Sequence, residues 1–267
     1  MKPFTNHAVL TVNSAVCHGG HFLSASNIRQ TCLGFLATFT MSTLLTNTDH
    51  TSETLTLFHS LLECWSTEIM NCPNRMFSVP DLPGSSQRIS NVDDNWPAHV
   101  PNIRTFEGIY DLFSLLNLVE ISEVVHYQTY APLSLPHEQR LILIDARAKS
   151  RQLVEWILAR RQLDSSDITL PQFYWKYLTY QVRAICAAKT FAESQDTFSY
   201  DQKHIAKRVE ALVYAHFDGI QPFWDEWGLL DGTTITSFAW SPPGQCTVGV
   251  RRPITEGQSL TQSNYPA

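Results

Sequence analysis

Along this chain apolar side chains recur at steps of three and four, the spacing that lines one face of an α-helix with 3.6 residues per turn. Cys32, Phe35, Leu36 and Phe39 form the first such run and predict a core-facing helix. Asn47-Thr48-Asp49-His50 interrupts it, and Leu55, Phe58, Leu61, Leu62, Trp65 and Ile69 restart the period. Pro73 closes this second helix, because proline lacks an amide proton and disfavours helical geometry in the residue before it. Ile109, Leu112, Phe113, Leu116 and Val119 predict a third helix that runs on toward Val125. Ser134-Leu135-Pro136 reads as a cap followed by a first-turn proline, opening a helix whose inner stripe is Ile142, Ala146, Leu153 and Ile157. Arg147, Lys149, Arg151, Arg160 and Arg161 fall largely off that stripe and read as a solvated basic face.

Two capping boxes announce further helix starts, Thr169-Leu170-Pro171-Gln172 and Ser199-Tyr200-Asp201-Gln202, each with a hydroxyl three residues before a glutamine. Behind the first, Phe173, Tyr177, Tyr180, Ala184, Ala187, Ala188 and Phe191 keep the period; behind the second, Ile205, Val209, Leu212, Val213 and His216 do. Asp218-Gly219 ends the last, and Pro222-Phe223-Trp224-Asp225-Glu226-Trp227 reads as a short aromatic element.

Residues 71–105 contain Pro73, Pro80, Pro83, Pro97 and Pro101 and sustain neither period. A connection that long is uncommon inside a compact domain, so it is a candidate crossover or lid. From Asp231 onward Thr, Ser, Gly, Gln and Pro dominate, with one β-like patch at Thr233 to Trp240, and residues 231–267 read as a disordered tail. The expected fold class is all-α: a multi-helix bundle over 1–230 with a long proline-rich loop at 71–105, followed by the tail.

Composition narrows the picture. Hydrophobic residues make up 43% and charged residues 16%, which excludes wholesale disorder. Nineteen Lys and Arg against 25 Asp and Glu give a net charge of −6, so no summed field attracts a polyanion and direct nucleic-acid binding is not expected. The cysteines at 17, 32, 64, 72, 186 and 246 follow no regular spacing and read as reduced thiols. Neither the first residues nor the most apolar window, Cys32 to Leu45, has the uninterrupted apolar length of a signal or a membrane span. The expectation is an intracellular chain, nuclear or cytoplasmic, with no membrane partner.

Candidate chemistry is sparse. Cys17-His18-Gly19-Gly20-His21 gathers soft ligands suited to zinc or copper, but no second cluster completes a site. Asp93-Asp94 could hold magnesium for diphosphate departure, as in helical terpenoid cyclases; those carboxylates belong on a helix, and these sit in the proline-rich loop. His126, His137, His204 and His216 lie among helical segments without a nucleophile pattern beside them. Trp240 to Thr247 lacks the aromatic, glycine and arginine pattern of a cysteine-ligand haem loop. The chain has no Gly-x-Ser-x-Gly elbow, dinucleotide turn, phosphate-binding lysine loop or His-Glu-x-x-His, which removes the common hydrolase, dehydrogenase and NTPase readings. Neither a resident metal nor a cofactor is expected. The aromatic stripes at Phe58 and Trp65 and at Phe173, Tyr177 and Tyr180 read as core.

One family is suggested by the order of motifs. A helix with Leu61-Leu62-Glu63-Cys64-Trp65 leads into an acidic, proline-rich loop through Val79-Pro80-Asp81-Leu82-Pro83 to Asp93-Asp94-Asn95-Trp96-Pro97. A helix at 106–125, then Tyr127-Gln128-Thr129-Tyr130, then a helix at 139–160 with Leu153-Val154-Glu155-Trp156 follow. Over about residues 30–190 this resembles the regulatory middle region of fungal zinc-cluster transcription factors. The binuclear zinc cluster of six cysteines is missing, and the Gly-Arg-Pro turn after the Trp helix is replaced by Pro73-Asn74-Arg75-Met76. The resemblance implies a regulator without its DNA-binding module, working through a protein partner, with a small-molecule effector and a role in specialised metabolism. The alternative is a helical enzyme of specialised metabolism, a cyclase or isomerase with an aromatic-lined pocket and dispersed acid–base groups, for which Asp93, Asp94 and His126 are the candidates. Converging titratable groups in a cleft would favour the enzyme; a packed core with exposed apolar residues would favour the regulator.

Overall fold

The computed structural model describes residues 25–41, 52–71, 96–97, 99–125, 136–160, 168–194, 205–230, 234–235 and 250–251. Its helices are α1 (Ile28–Met41), α2 (Ser52–Met70), α3 (Phe106–Glu120), α4 (Ser122–Val125), α5 (His137–Arg160), α6 (Leu170–Ser194), α7 (Ile205–His216) and α8 (Gln221–Leu229), with a 3-10 turn at Ala25–Asn27. The fold is all-α, as the periodicity predicts.

Helix α3 is the axis of the bundle. From Ile109 to Ile121 only Tyr110 and Asp111 escape full burial, because α1, α2, α5 and α6 all pack against it. Its run of Leu, Phe, Ile and Val supplies apolar contact in every direction, which is the signature of a central helix. Cross-links fix the directions of its neighbours. Ser114 and Asn117 meet Tyr177 and Gln181, so α3 and α6 run parallel; Arg151 of α5 meets Glu120 of α3 and Arg147 meets Glu123 of α4, which ties α5 to both. His59 with Asp145 and Glu63 with Lys149 make α2 and α5 parallel.

The end of the proline-rich segment is non-helical up to Thr105, as the loop reading expects, but part of it is packed into the core. Val100, Pro101 and Ile103 are buried, Trp65 Nε1 donates to the His99 carbonyl at 2.8 Å and Trp96 Nε1 donates to the Val100 carbonyl at 3.0 Å. Two indole donors serve where no helical period could, which is why spacing alone does not show this turn. Thr105 then caps α3, its Oγ1 accepting from Gly108 N at 3.1 Å and donating to Asn102 O at 2.9 Å. The remainder of 71–105 lies outside the described residues.

Other boundaries shift. Ile121 breaks the expected helix 106–125 into α3 and α4. Helix α5 begins at His137 with Arg140 N donating to the Pro136 carbonyl at 3.1 Å, so Pro136 precedes the first turn instead of lying in it; Ser134 is outside the described residues. The Thr169–Gln172 box forms as read: Thr169 N donates to Gln172 Oε1 at 2.9 Å and Gln172 N to Thr169 Oγ1 at 3.4 Å. The Ser199–Gln202 box lies outside the described residues, where α7 is seen from Ile205.

The inner face of α6 is rotated from the expected stripe. Leu170, Tyr174, Leu178, Val182 and Ile185 are buried, whereas Phe173, Tyr177 and Tyr180 are partly buried and Ala187 is exposed. Phe173 and Tyr177 instead flank α3, their rings against Phe106 and Tyr110 with centroids 5.2 and 4.7 Å apart. At the far end Gly219, at φ 73°, turns the chain from α7 into α8, and Phe217 stacks on Phe223 at 3.8 Å. Of residues 231–267 only Thr234–Ile235 and Val250–Arg251 are described, as an antiparallel pair, the first of them within the expected β-like patch; the rest of the expected tail lies outside the described residues.

Candidate functional site

The polar side chains of α3 define two networks inside the bundle. Ser114 Oγ donates to the Tyr110 carbonyl at 2.8 Å, leaving its lone pairs for the Tyr177 hydroxyl at 2.8 Å. Gln181 Nε2 donates to that hydroxyl oxygen at 3.0 Å, and Asn117 Nδ2 donates to Gln181 Oε1 at 2.7 Å. The protons therefore run one way, from Asn117 through Gln181 and Tyr177 to the Ser114 hydroxyl and the α3 backbone. Burial raises the Tyr177 pKa well above its ordinary value, so its hydroxyl stays a donor.

The second network lies one turn further on. Glu120, 3% exposed, receives Arg151 Nε and Nη2 at 3.0 and 2.5 Å and His216 Nε2 at 2.8 Å. Arg147 Nη1 donates to His216 Nδ1 at 3.2 Å and to Glu123 Oε2 at 2.6 Å. With Nδ1 accepting from Arg147, Nε2 is the ring nitrogen that donates to Glu120. Burial by itself would push the Glu120 carboxyl up; the hydrogen bonds from His216 and Arg151 overcome it and lower the pKa to about 2. This 3% exposed carboxylate is engaged at both oxygens, by Arg151 of α5 and His216 of α7, and so serves to join helices. Arg147, Lys149 and Arg151, expected as a solvated basic face, are thus interhelical partners, with Lys149 bound to Glu63 of α2. The stripe analysis placed them off the apolar face but carries no information on which acids meet them.

Beside these lies Asp111 on α3, facing Arg29 and Cys32 of α1. Burial, with Glu107 adding to it, pushes the Asp111 carboxyl up to about 6 despite the opposing pull of Arg29. Arg29 Nε stands 3.3 Å from Asp111 Oδ1 and its guanidinium lies over the Tyr110 ring at 4.6 Å. Burial raises the Cys32 thiol far above its ordinary value, so it is a packing group and not a nucleophile.

Cys17, His18, His21, Asp93, Asp94, His126 and His204 lie outside the described residues. His137 is exposed at the start of α5. His216, the other described histidine of that set, enters the Glu120 network. Cys64 is exposed on α2, and among the described residues no three His, Cys, Asp or Glu side chains gather as a metal-binding group. Sequence reading missed Asp111, Asn117 and Glu120. The signal available was their position in the apolar run from Ile109 to Val125, where a polar group demands a partner.

No described helix is long and apolar enough to cross a membrane. No family model, curated protein or solved structure matches the chain.

Proposed function

We propose that this chain is a helical regulatory interaction protein, transcription-regulator-like and without a DNA-binding module of its own, acting in the nucleus or cytoplasm through a protein partner. What supports the reading is the division of labour between charged and apolar groups. The buried acid Glu120 is spent on holding α3, α5 and α7 together, whereas Leu141 and Ile144, both 51% exposed, lie on α5 opposite its packed face of Leu143, Ala146, Ser150 and Leu153. With Ala148 they form an outward apolar stripe at helical spacing, the arrangement by which a helix meets a partner groove. The net charge of −6 favours a basic partner, as a DNA-binding protein would be.

A helical enzyme of the isomerase type is the second reading, and Asp111 is the observation that favours it. A carboxyl at about 6 is suited to proton transfer near neutrality, and Tyr110 and Phe106 stand beside it on the same helix.

Deletion in the native cell, complemented with wild type, Leu141→Asp/Ile144→Asp or Asp111→Asn, separates the two. The regulator reading expects transcript changes on deletion that the α5 double variant fails to restore and Asp111→Asn restores. It is overturned by changed metabolites with unchanged transcripts, restored by the α5 variant and not by Asp111→Asn.

A further inference from the structure

Where α7 turns into α8 the surface is aromatic and acidic at once. Tyr214, 50% exposed, lies flat against the partly buried Trp224, with ring centroids 5.0 Å apart and 13° between the planes. Trp224 is itself held: its Nε1 donates to the Phe217 carbonyl at 2.8 Å and its ring meets Trp227 edge-on at 5.6 Å. Arg183 of α6 fixes Trp227 in turn, its guanidinium 4.4 Å from that ring and its Nη2 donating to the Leu230 carbonyl at 3.1 Å. The outer Tyr214 ring is therefore presented on an ordered base, which lowers the entropy lost when something covers it.

Charge sets what can cover it. From Glu210 to Leu230 the chain carries four carboxylates, Glu210, Asp218, Asp225 and Glu226, and no lysine or arginine. The histidine of this stretch, His216, is turned inward to Glu120. No ion pair among the described residues engages any of the four acids. Asp218 follows Tyr214 by one turn, because Phe217 N still donates to the Val213 carbonyl, and Asp225 is exposed beside Trp224. A second copy of this face, a nucleic acid or an anionic lipid surface would be repelled by these carboxylates. Gly228, one turn beyond Trp224 on α8, leaves space on the same side. A Cβ built there meets nothing within 4 Å and its φ is not positive, so neither packing nor backbone geometry within the fold calls for so weak a helix former. We propose that the Tyr214–Trp224 face docks an arginine-bearing segment of a partner protein, a guanidinium stacking on the exposed Tyr214 ring and pairing with Asp218 while the partner chain passes over Gly228. Arginine suits the face better than lysine, because its planar, weakly hydrated head both stacks on a ring and forks onto a carboxylate. The proposal rests on the reading of a partner-binding protein and places contact on a face other than the α5 stripe.

Fluorescence anisotropy of short labelled peptides on the full-length chain tests it. Three probes share a leucine and alanine frame and differ only in carrying arginine, lysine or glutamate at the remaining positions. The arginine probe is expected to bind about threefold tighter than the lysine probe and about tenfold or more tighter than the glutamate probe. Tyr214→Ala, Asp218→Lys and Gly228→Gln should each weaken the arginine probe about tenfold, the last without lowering the melting temperature. Glu155→Lys makes the same charge change at an exposed acid of α5 and should leave binding within twofold, which separates local docking from the pull of net charge. Equal binding of the arginine and glutamate probes, or losses no larger than in Glu155→Lys, overturns the proposal. Should Tyr214→Ala fail to fold, Asp218→Lys and Gly228→Gln decide. Binding abolished by Leu141→Asp/Ile144→Asp but kept by Tyr214→Ala overturns this face and leaves the α5 reading standing; the transcript response to deletion decides the regulator reading separately.

Discussion

At the residue scale, Gly108 shows how a single position sets a helix start. A Cβ built there would lie 2.0 Å from the Asn102 carbonyl oxygen, a backbone atom fixed by its bond from Thr105. Gly108→Ala must push the capping turn away from α3, and a cost of about 1–3 kcal/mol is expected, seen as a lower urea midpoint with an unchanged slope. Glu120 makes the opposite argument, since both of its oxygens are held by groups from other helices. Glu120→Gln keeps the shape but weakens charge-assisted bonds to Arg151 and His216, and should cost about 2–3 kcal/mol in equilibrium unfolding. Its folded pKa of about 2 lies below the ordinary 4.5, so its stabilisation is complete above pH 4.5 and is lost as pH falls toward 2. Acid unfolding of Glu120→Gln should show a shallower loss across that window.

At the scale of elements, the cap and the turn before α3 test how local signals are used. Thr169→Ala deletes one half of the reciprocal bond at the start of α6, and about 1 kcal/mol of stability should go with it. Trp65→Phe keeps a ring in the α2 core while removing the donor to His99 O. Near-ultraviolet circular dichroism of the turn at 96–105 should change while the far-ultraviolet helix signal holds, with a stability loss of about 1 kcal/mol. The helix periods of α2 and α5 were legible because each has one buried stripe, although on α5 it runs through Leu143 in place of the expected Ile142; α1 is buried on all sides from Phe35 to Thr40. The face of α6 was misjudged because it packs against α1, α3, α7 and α8, so its aromatic residues at 173 and 177 serve a flank and its buried line runs through 174, 178 and 182.

For the whole molecule, two acids impose opposite pH demands. Glu120 stabilises the fold above pH 4.5, whereas Asp111, raised from 3.8 to about 6, gives stability that is complete below pH 3.8 and is lost as pH rises through 6. Thermal stability should therefore peak on the acid side of neutrality, and Asp111→Asn should raise the melting temperature at pH 7.5 relative to pH 5. Differential scanning calorimetry at the two values checks it; a wild-type optimum above pH 7 contradicts the assignment. The parallel pairs α2 with α5 and α3 with α6 also place contacts far apart in sequence, which favours slow folding over the rate of an up-and-down bundle.

By itself the sequence determined the helical class, most helix positions, the Thr169 cap and the turn at Gly219, because periodicity, capping chemistry and glycine's tolerance of positive φ are local properties of the chain. Which cation meets which acid, the direction of each helix and the burial of Val100 to Ile103 were decided only by tertiary structure. Those outcomes depend on side chains brought together from positions 24 to 96 residues apart, from Glu123 with Arg147 to Glu120 with His216. Spacing along one helix records that a face is apolar; the electrostatic identity of its neighbour is set by the helix that arrives there.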